Sequence, residues 1–364
     1  MIVASMIGLL AALTFPEPLD PSLDWHDCSQ SPMLEGRGFP GEGNPYHRLP
    51  ESQKPRTTEK VWGLSQTSIG FNVRFKTDSD TLAVRWDFPG FHSPLAYMSM
   101  VAHVGVDIYA RGPNDKEWRH VNGGVAPSWR LVKNAKSGEH TFAGELQWKW
   151  KPGDEAMVYL PMRFGPRNFA IGLKKGATFE KARPHIADKP VVIYGTSICN
   201  GGSTSRAGLA FPAIMGRIAD VEVVNLGFSG AGCMELPMAD LVADIDASIY
   251  ILDCLPNMNT KLVDENYEPF LRQLRKRRPD VPIIMCGKCT IMDHPNNSEQ
   301  NMLKIRSRLE KEEPELVKNT YYIPGYTMLP HTDDCLADNI HPNDWGHGHM
   351  GRLYAKKILE VLGK

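Results

Sequence analysis

The sequence predicts two unlike folds in one chain: an all-β sandwich of jelly-roll type, followed by a flavodoxin-like three-layer α/β/α domain. Three observations predict this. Between about Asp24 and Phe179 short apolar runs alternate with polar residues and are broken by Gly, Pro and Asn. After Arg183-Pro184 the pattern changes to continuous apolar runs separated by helical stretches, the grammar of a parallel βαβ sheet. And 364 residues with 42% hydrophobic content exceed what one ordinary core uses. The boundary falls near residues 180–188, with a sandwich over 22–182 and an α/β domain over 186–364.

Residues 1–18, MIVASMIGLLAALTFPEP, form an apolar run of signal-peptide length, too short to cross a bilayer as a stable helix. Export to a secreted or periplasmic location is the expectation. No Lys or Arg precedes the run, so a buried N-terminal strand or helix is the alternative.

In the sandwich region, residues 68–76, 81–86 and 104–109 alternate with period two and read as half-buried strands. Residues 112–117, GPNDKE, mix turn formers with both signs of charge and read as a hairpin turn. In the second region the candidate strands are 191–194, 221–226, 248–252, 282–285 and 320–323. Helical stretches at 262–278 and 300–311 separate them, and an amphipathic helix at about 346–362 closes the chain. A sheet of this kind gathers its reactive groups at the carboxyl ends of its strands.

Lys and Arg number 41 against 42 Asp and Glu, for a net charge of −1, and are scattered along the chain. Charge therefore points to neither a nucleic-acid partner nor an anionic membrane. The seven cysteines cannot all pair within the chain. Cys286-Gly-Lys-Cys289 has CxxC spacing, but no second CxxC or paired His completes a zinc set. A local disulfide or two loop thiols is the plain reading of that pair.

Four short segments carry the chemistry. The first strand runs into Gly195-Thr196-Ser197, placing a hydroxyl at a strand's carboxyl end just before the Gly-rich segment 200–205. By itself it is also an ordinary turn. The second ends in Asn225-Leu-Gly-Phe-Ser-Gly230-Ala-Gly232, where glycines let the backbone approach a ligand, or simply turn tightly. The third leads to Asn257, whose amide can donate to a developing negative charge. Near the C-terminus, Asp338 stands three residues before His341 in a loop ahead of the last helix. A carboxylate there can fix the imidazole tautomer that accepts a proton from a Ser hydroxyl. His347 competes, with Asp344 at the same spacing, and His349 follows. Asp344 is better placed to cap the helix, which leaves both later histidines as surface or packing residues. A metal site from His341, His347 and His349 is possible on counting, but no HExxH-like Glu stands ready to activate a water.

In the order Ser, Gly, Asn, Asp-x-x-His along one parallel sheet, these segments resemble the SGNH (GDSL-like) hydrolase superfamily. The resemblance implies Ser197 as nucleophile and Asp338 and His341 as acid and base. It makes the Ser197 N–H, Gly230 and Asn257 the oxyanion hole, and calls for no metal or cofactor. Thr196 stands where better-known members have Asp. Gly105-Val-Asp107-Ile-Tyr109 is similar to the Gly-x-Asp-Leu-Tyr motif of a branch that fuses a β-sandwich to the hydrolase; Asp107 and Tyr109 read as structural. What the resemblance implies is a serine esterase acting on a small-molecule or polysaccharide ester, with acetyl esters of carbohydrates as the expected class. Three alternatives are a lipase or thioesterase, a non-catalytic carbohydrate-binding protein with a decayed hydrolase domain, and a metal-dependent phosphoesterase.

Overall fold

The computed structural model describes residues 19–89, 97–124, 130–133 and 140–364; the apolar run at 1–18 lies outside them. Among the described residues, eleven strands build the N-terminal domain. They are β1 (Leu23–Asp27), β2 (Leu34–Glu35), β3 (Asn72–Lys76), β4 (Thr81–Pro89), β5 (Val106–Arg111), β6 (Arg119–Gly124), β7 (Arg130–Lys133), β8 (His140–Lys149), β9 (Glu155–Tyr159), β10 (Asn168–Lys174) and β11 (Glu180–Lys181). One antiparallel sheet has the order β1-β10-β4-β8-β7; the other runs β11-β3-β9-β5-β6, with β2 beside β3. Alternation builds the core between them: Leu82, Val84 and Trp86 of one sheet pack with Val73, Phe75, Ile108 and Val158 of the other.

Two short helices, α1 (Glu59–Ser65) and α2 (Met100–Val104), interrupt this region. Sequence periodicity did not expose them because each is too short to build a repeat. Serine and threonine caps mark their starts: Thr58 accepts from Val61 N–H, and Ser99 accepts from Ala102 N–H at 3.1 Å. The strands β5 and β9 are buried on both faces, not one. Tyr109, Met157 and Tyr159 turn outward and pack with Ala207 and Ala210 of the second domain, which covers that side of the sheet.

The C-terminal domain has a parallel sheet of β12 (Val191–Gly195), β13 (Val223–Gly227), β14 (Ile249–Asp253), β15 (Ile283–Cys286) and β16 (Thr320–Ile323). Its order, β13-β12-β14-β15-β16, is the flavodoxin-like one. On one face pack α4 (Leu236–Asp244), α5 (Thr260–Arg277) and α6 (Asn297–Glu312) against Val192, Tyr194, Tyr250 and Met285. The other face holds α3 (Phe211–Ala219) and α8 (Asp344–Val361) against Val191, Ile193, Ile251 and Ile284; α7 (Pro314–Val317) precedes β16. The strands and helices expected in this domain thus stand where the sequence put them, with ends displaced by at most three residues. The cap of α8 differs. Asn343 accepts from Trp345 and Gly346 N–H, and Asp344 is the first helical residue, its carboxylate turned instead to Ser205.

A network of opposite charges also joins the domains. Asp220, at the end of α3, faces Arg111 at 3.1 Å and His185 at 3.4 Å, and His185 in turn reaches Glu35 at 3.2 Å. Despite burial, which works the other way, these two carboxylates raise the His185 imidazole to about 9.

Candidate active site

The parallel sheet delivers the first three segments to one edge. β12 ends at Gly195, and Thr196, fully buried, organises the turn: its hydroxyl accepts from Ile198 N–H at 3.3 Å and its carbonyl from Asn200 N–H at 3.2 Å. A short side chain with an acceptor oxygen is enough for that work. Ser197 follows, half-buried, with its Oγ 2.9 Å from His341 Nε2. His341 Nδ1 lies 2.8 Å from Asp338 Oδ2, while Asp338 Oδ1 accepts from the N–H groups of Ile340 at 2.7 Å and His341 at 2.6 Å. One carboxylate therefore fixes both its own loop and the imidazole. Partial burial alone would push this carboxyl up; the hydrogen bonds from the His341 ring and the two N–H groups outweigh it and hold Asp338 below the usual carboxylate range.

Gly230 stands in the turn after β13 with φ of +63°, a conformation that L side chains rarely adopt. Its carbonyl accepts from Lys60 Nζ at 2.8 Å. Among the described residues the N–H groups of Ser197 and Gly230 meet no acceptor. Asn257 follows β14 in a short 3-10 turn and donates from Nδ2 to the Gly232 carbonyl at 3.3 Å, placing its amide against the same glycine turn.

Several supports were invisible in the sequence. Asn225 braces two turns at once, donating to the Cys199 carbonyl at 2.7 Å and accepting from Gly227 N–H at 2.9 Å. Asn200 donates to Ser229 Oγ at 2.9 Å. Asp253, buried behind the Ser197 turn, accepts from Cys199 Sγ at 3.3 Å, and burial pushes its carboxyl up to about 6. His347 is buried in α8, with Nδ1 accepting from Phe211 N–H at 3.2 Å and Nε2 3.0 Å from the Gly202 carbonyl. It is a packing residue; His349 is exposed, 3.2 Å from the Thr327 carbonyl. Tyr97, from the sandwich, stacks on His341 with ring centroids 5.0 Å apart and planes within 5°. Sequence separation of this size leaves no pattern to find.

The Gly105-to-Tyr109 motif lies between the domains. A Cβ at Gly105 would come within 2.7 Å of the carbonyl oxygens of Val101 and Gly124, so only Gly fits. Asp107, buried, accepts from Gly208 N–H at 2.9 Å and from Arg206 at 3.0 Å, and faces His120 Nε2 at 3.0 Å. Arg217 lies over the Tyr109 ring at 3.8 Å and donates to the Gly208 carbonyl at 2.7 Å. The motif thus grips the segment that continues from the Ser197 turn.

Beside the site opens a cleft of about 740 Å³. Ile198 and Pro256, the neighbours of Ser197 and Asn257, form one wall; Lys288, Asn296, Asp333 and Ile340 contribute to the others. Buried Glu299 shapes it, taking Lys288 N–H at 3.1 Å and Gly325 N–H at 2.8 Å. Cys286 ends β15 and Cys289 lies on the cleft wall, both as free thiols. Among the described residues no cluster of His, Cys, Asp and Glu has the arrangement of a metal site. No helix there is long and apolar enough to cross a membrane.

A parallel sheet with a Ser-His-Asp chain at its carboxyl edge is a hydrolase architecture, and the comparisons agree. Residues 188–359 match the GDSL-like lipase/acylhydrolase family, and residues 23–179 match the N-terminal GxDLY domain of SGNH-hydrolase-type esterases. The chain belongs to the SGNH (GDSL-like) hydrolases and is an ester-hydrolysing enzyme; its N-terminal domain is that of the GxDLY branch. A structure from Bacteroides ovatus described as a GDSL-like lipase is 28% identical, with TM-score 0.77 over 94% of this chain and 98% of its own. The salicylyl-acyltransferase SsfX3 from a tetracycline biosynthetic pathway is 18% identical, with TM-score 0.68 over 95% and 99%. A family two carbohydrate esterase from Cellvibrio japonicus is 10% identical, with TM-score 0.56 over 94% and 98%; these last two likenesses are of fold. No curated protein matches the chain.

Proposed function

We propose that the chain is a serine esterase in which Ser197, His341 and Asp338 form a catalytic triad and the Ser197 and Gly230 N–H groups, with the Asn257 amide, form the oxyanion hole. The observation that carries the reading is the unbroken chain from Ser197 Oγ through His341, at 2.9 Å, to Asp338, at 2.8 Å. As Oγ attacks the ester carbonyl, its proton passes to His341 Nε2, and Asp338 holds the ring in the tautomer that can accept it. Charge then develops on the carbonyl oxygen, where preorganised donors stabilise it. His341 returns the proton to the departing alcohol oxygen, and water repeats the sequence to release the acid.

For the substrate we propose a short-acyl, above all acetyl, ester of a carbohydrate. The cleft beside the triad is far larger than an acetyl group needs, and Lys288, Asn296 and Asp333 offer hydrogen-bonding groups suited to a hydroxylated alcohol. The apolar run at residues 1–18 supports a secreted or periplasmic setting, where polysaccharide esters occur. The aliphatic side of the cleft, Ile198, Leu329 and Ile340, favours a second reading, an acyl group of several carbons. The test is hydrolysis of p-nitrophenyl esters of increasing chain length, with acid release from acetylated xylan and pectin measured alongside. The expected result is turnover that falls beyond short acyl groups and is abolished by Ser197→Ala in a folded protein. Turnover retained by that variant would overturn the triad, and a preference for long chains the substrate.

A further inference from the structure

The sandwich domain reaches the catalytic histidine through Tyr97. The ring lies parallel to the His341 imidazole at a 5.0 Å centroid separation and is 37% exposed, so one face of His341 is covered by an aromatic π-face. Both sides of this stack are held to a common brace. Two residues beyond Tyr97, Ser99 caps α2 and its hydroxyl donates to the Ser205 carbonyl. Ser205 is in turn fixed by Asp344, through N–H at 2.8 Å and Oγ at 2.6 Å, and Asp344 is three residues beyond His341. The first turn of α8 and the approach to α2 are therefore tied together on either side of the ring pair.

We propose that Tyr97 is a positioning residue for the esterase reaction, supplied by the β-sandwich, that holds the His341 ring and stabilises its protonated form. The proposal rests on the triad reading above. When the bond from Ser197 Oγ to the carbonyl carbon forms, the carbonyl electron pair moves to oxygen and the serine proton moves to His341 Nε2. His341 is then an imidazolium, and the face of a tyrosine ring attracts a cation at this separation. The attraction is gained only as the proton arrives, so it acts on the transition state rather than on substrate binding. When the alcohol leaves, the C–O bond breaks, the proton passes to the alcohol oxygen, and the ring pair is neutral again. The stack also restricts rotation of the imidazole about the line from Asp338 to Ser197, which the hydrogen bonds at its two nitrogens leave open.

The experiment compares Tyr97→Leu, Tyr97→Phe and Ser197→Ala in the full-length chain, using p-nitrophenyl acetate and thermal unfolding. Tyr97→Leu should lower kcat about fivefold, the scale of a cation–π contact at a half-exposed site, with KM unchanged within about twofold. Tyr97→Phe, which keeps the π-face and lacks the hydroxyl, should restore kcat to within about twofold. A rise in KM at constant kcat in Tyr97→Leu would make the ring a wall for substrate and overturn the proposal, as would unchanged kinetics. Should Tyr97→Leu melt well below the parent, Tyr97→Phe decides: a fivefold loss in a Phe variant of normal stability refutes the π-face argument. Active Ser197→Ala would defeat the triad reading itself, an outcome separate from the behaviour of the Tyr97 variants.

Discussion

His347 allows a stability prediction worked from one side chain. It is buried in α8 and joins two parts of the Ser197 neighbourhood, accepting from Phe211 N–H at Nδ1 and meeting the Gly202 carbonyl through Nε2. Burial is the main reason its imidazole drops from 6.5 to about 4; the Gly202 carbonyl offsets part of that. A proton on Nδ1 would also point at the Phe211 N–H. Because the folded value is below the unfolded one, the unfolded chain binds more protons between these limits. The contribution is complete above pH 6.5, falls as the pH drops from 6.5 to about 4, and is level below that. A shift from 6.5 to about 4 at 1.36 kcal/mol per unit corresponds to about 3 kcal/mol. The assay is urea unfolding of the parent and of His347→Gln from pH 7.5 to 4, both followed by tryptophan fluorescence. Other groups titrate in both proteins, so the difference between the two is the informative quantity. The parent should be more stable at pH 7.5, and its advantage should shrink by about 3 kcal/mol on acidification. A difference that stays constant with pH would refute the assignment of a neutral, doubly bonded His347.

Three further outcomes follow from the site and the domain contact. Asp338→Asn should lower kcat for a p-nitrophenyl ester about 10²- to 10⁴-fold with little change in melting temperature, because the amide cannot impose the same tautomer on His341. Asp107→Ala strips the acceptor from Gly208 N–H and Arg206 while leaving the guanidinium between the domains. Arg206 is partly open to water, which moderates the loss to about 2–4 kcal/mol, or about 5–15 °C in Tm by differential scanning calorimetry. A chelator such as EDTA should leave esterase turnover unchanged, since the proposed proton path runs through Ser197, His341 and Asp338; loss of turnover that zinc or magnesium restores would favour a metal-dependent phosphoesterase.

Where the sequence was legible, the signal was local. The parallel strands are short apolar runs bounded by turn residues, and Asp338 with His341 lies inside one loop, so the carboxylate's reach to Nδ1 could be expected from spacing. The order of Ser197, Gly230 and Asn257 could be read because a parallel sheet with helical crossovers brings every strand's carboxyl end to one edge. Ser197 to His341 was harder. The two are brought to 2.9 Å by the packing of α8 beside α3, which also sets His347 against Gly202, and no periodicity encodes that approach. The cap of α8 was misread for a related reason: Asp344 is a good capping residue in isolation, but its carboxylate finds Ser205, leaving Asn343 to bond the first N–H groups.

The contact between the domains was the least legible part, and the reason lies in β5. An alternating strand was expected to show one face to water; instead all six of its residues are buried, because a second domain covers the outer face. Burial on both sides changes the meaning of each motif residue. Ile108 remains a core residue of the sandwich, whereas Asp107 becomes a buried anion that must be answered; beside His120 on the neighbouring strand, the answers come from Arg206 and Gly208, about a hundred residues later. The partners of Asp107 follow Ser197 on the same stretch of chain, so docking the sandwich also restrains the segment leaving Ser197. Tyr97 approaches His341 on the same side through Ser99 and Ser205. The sandwich therefore bears on the candidate active site at two places, the segment after Ser197 and the face of His341, and removing it should impair turnover even if the α/β domain kept its own core.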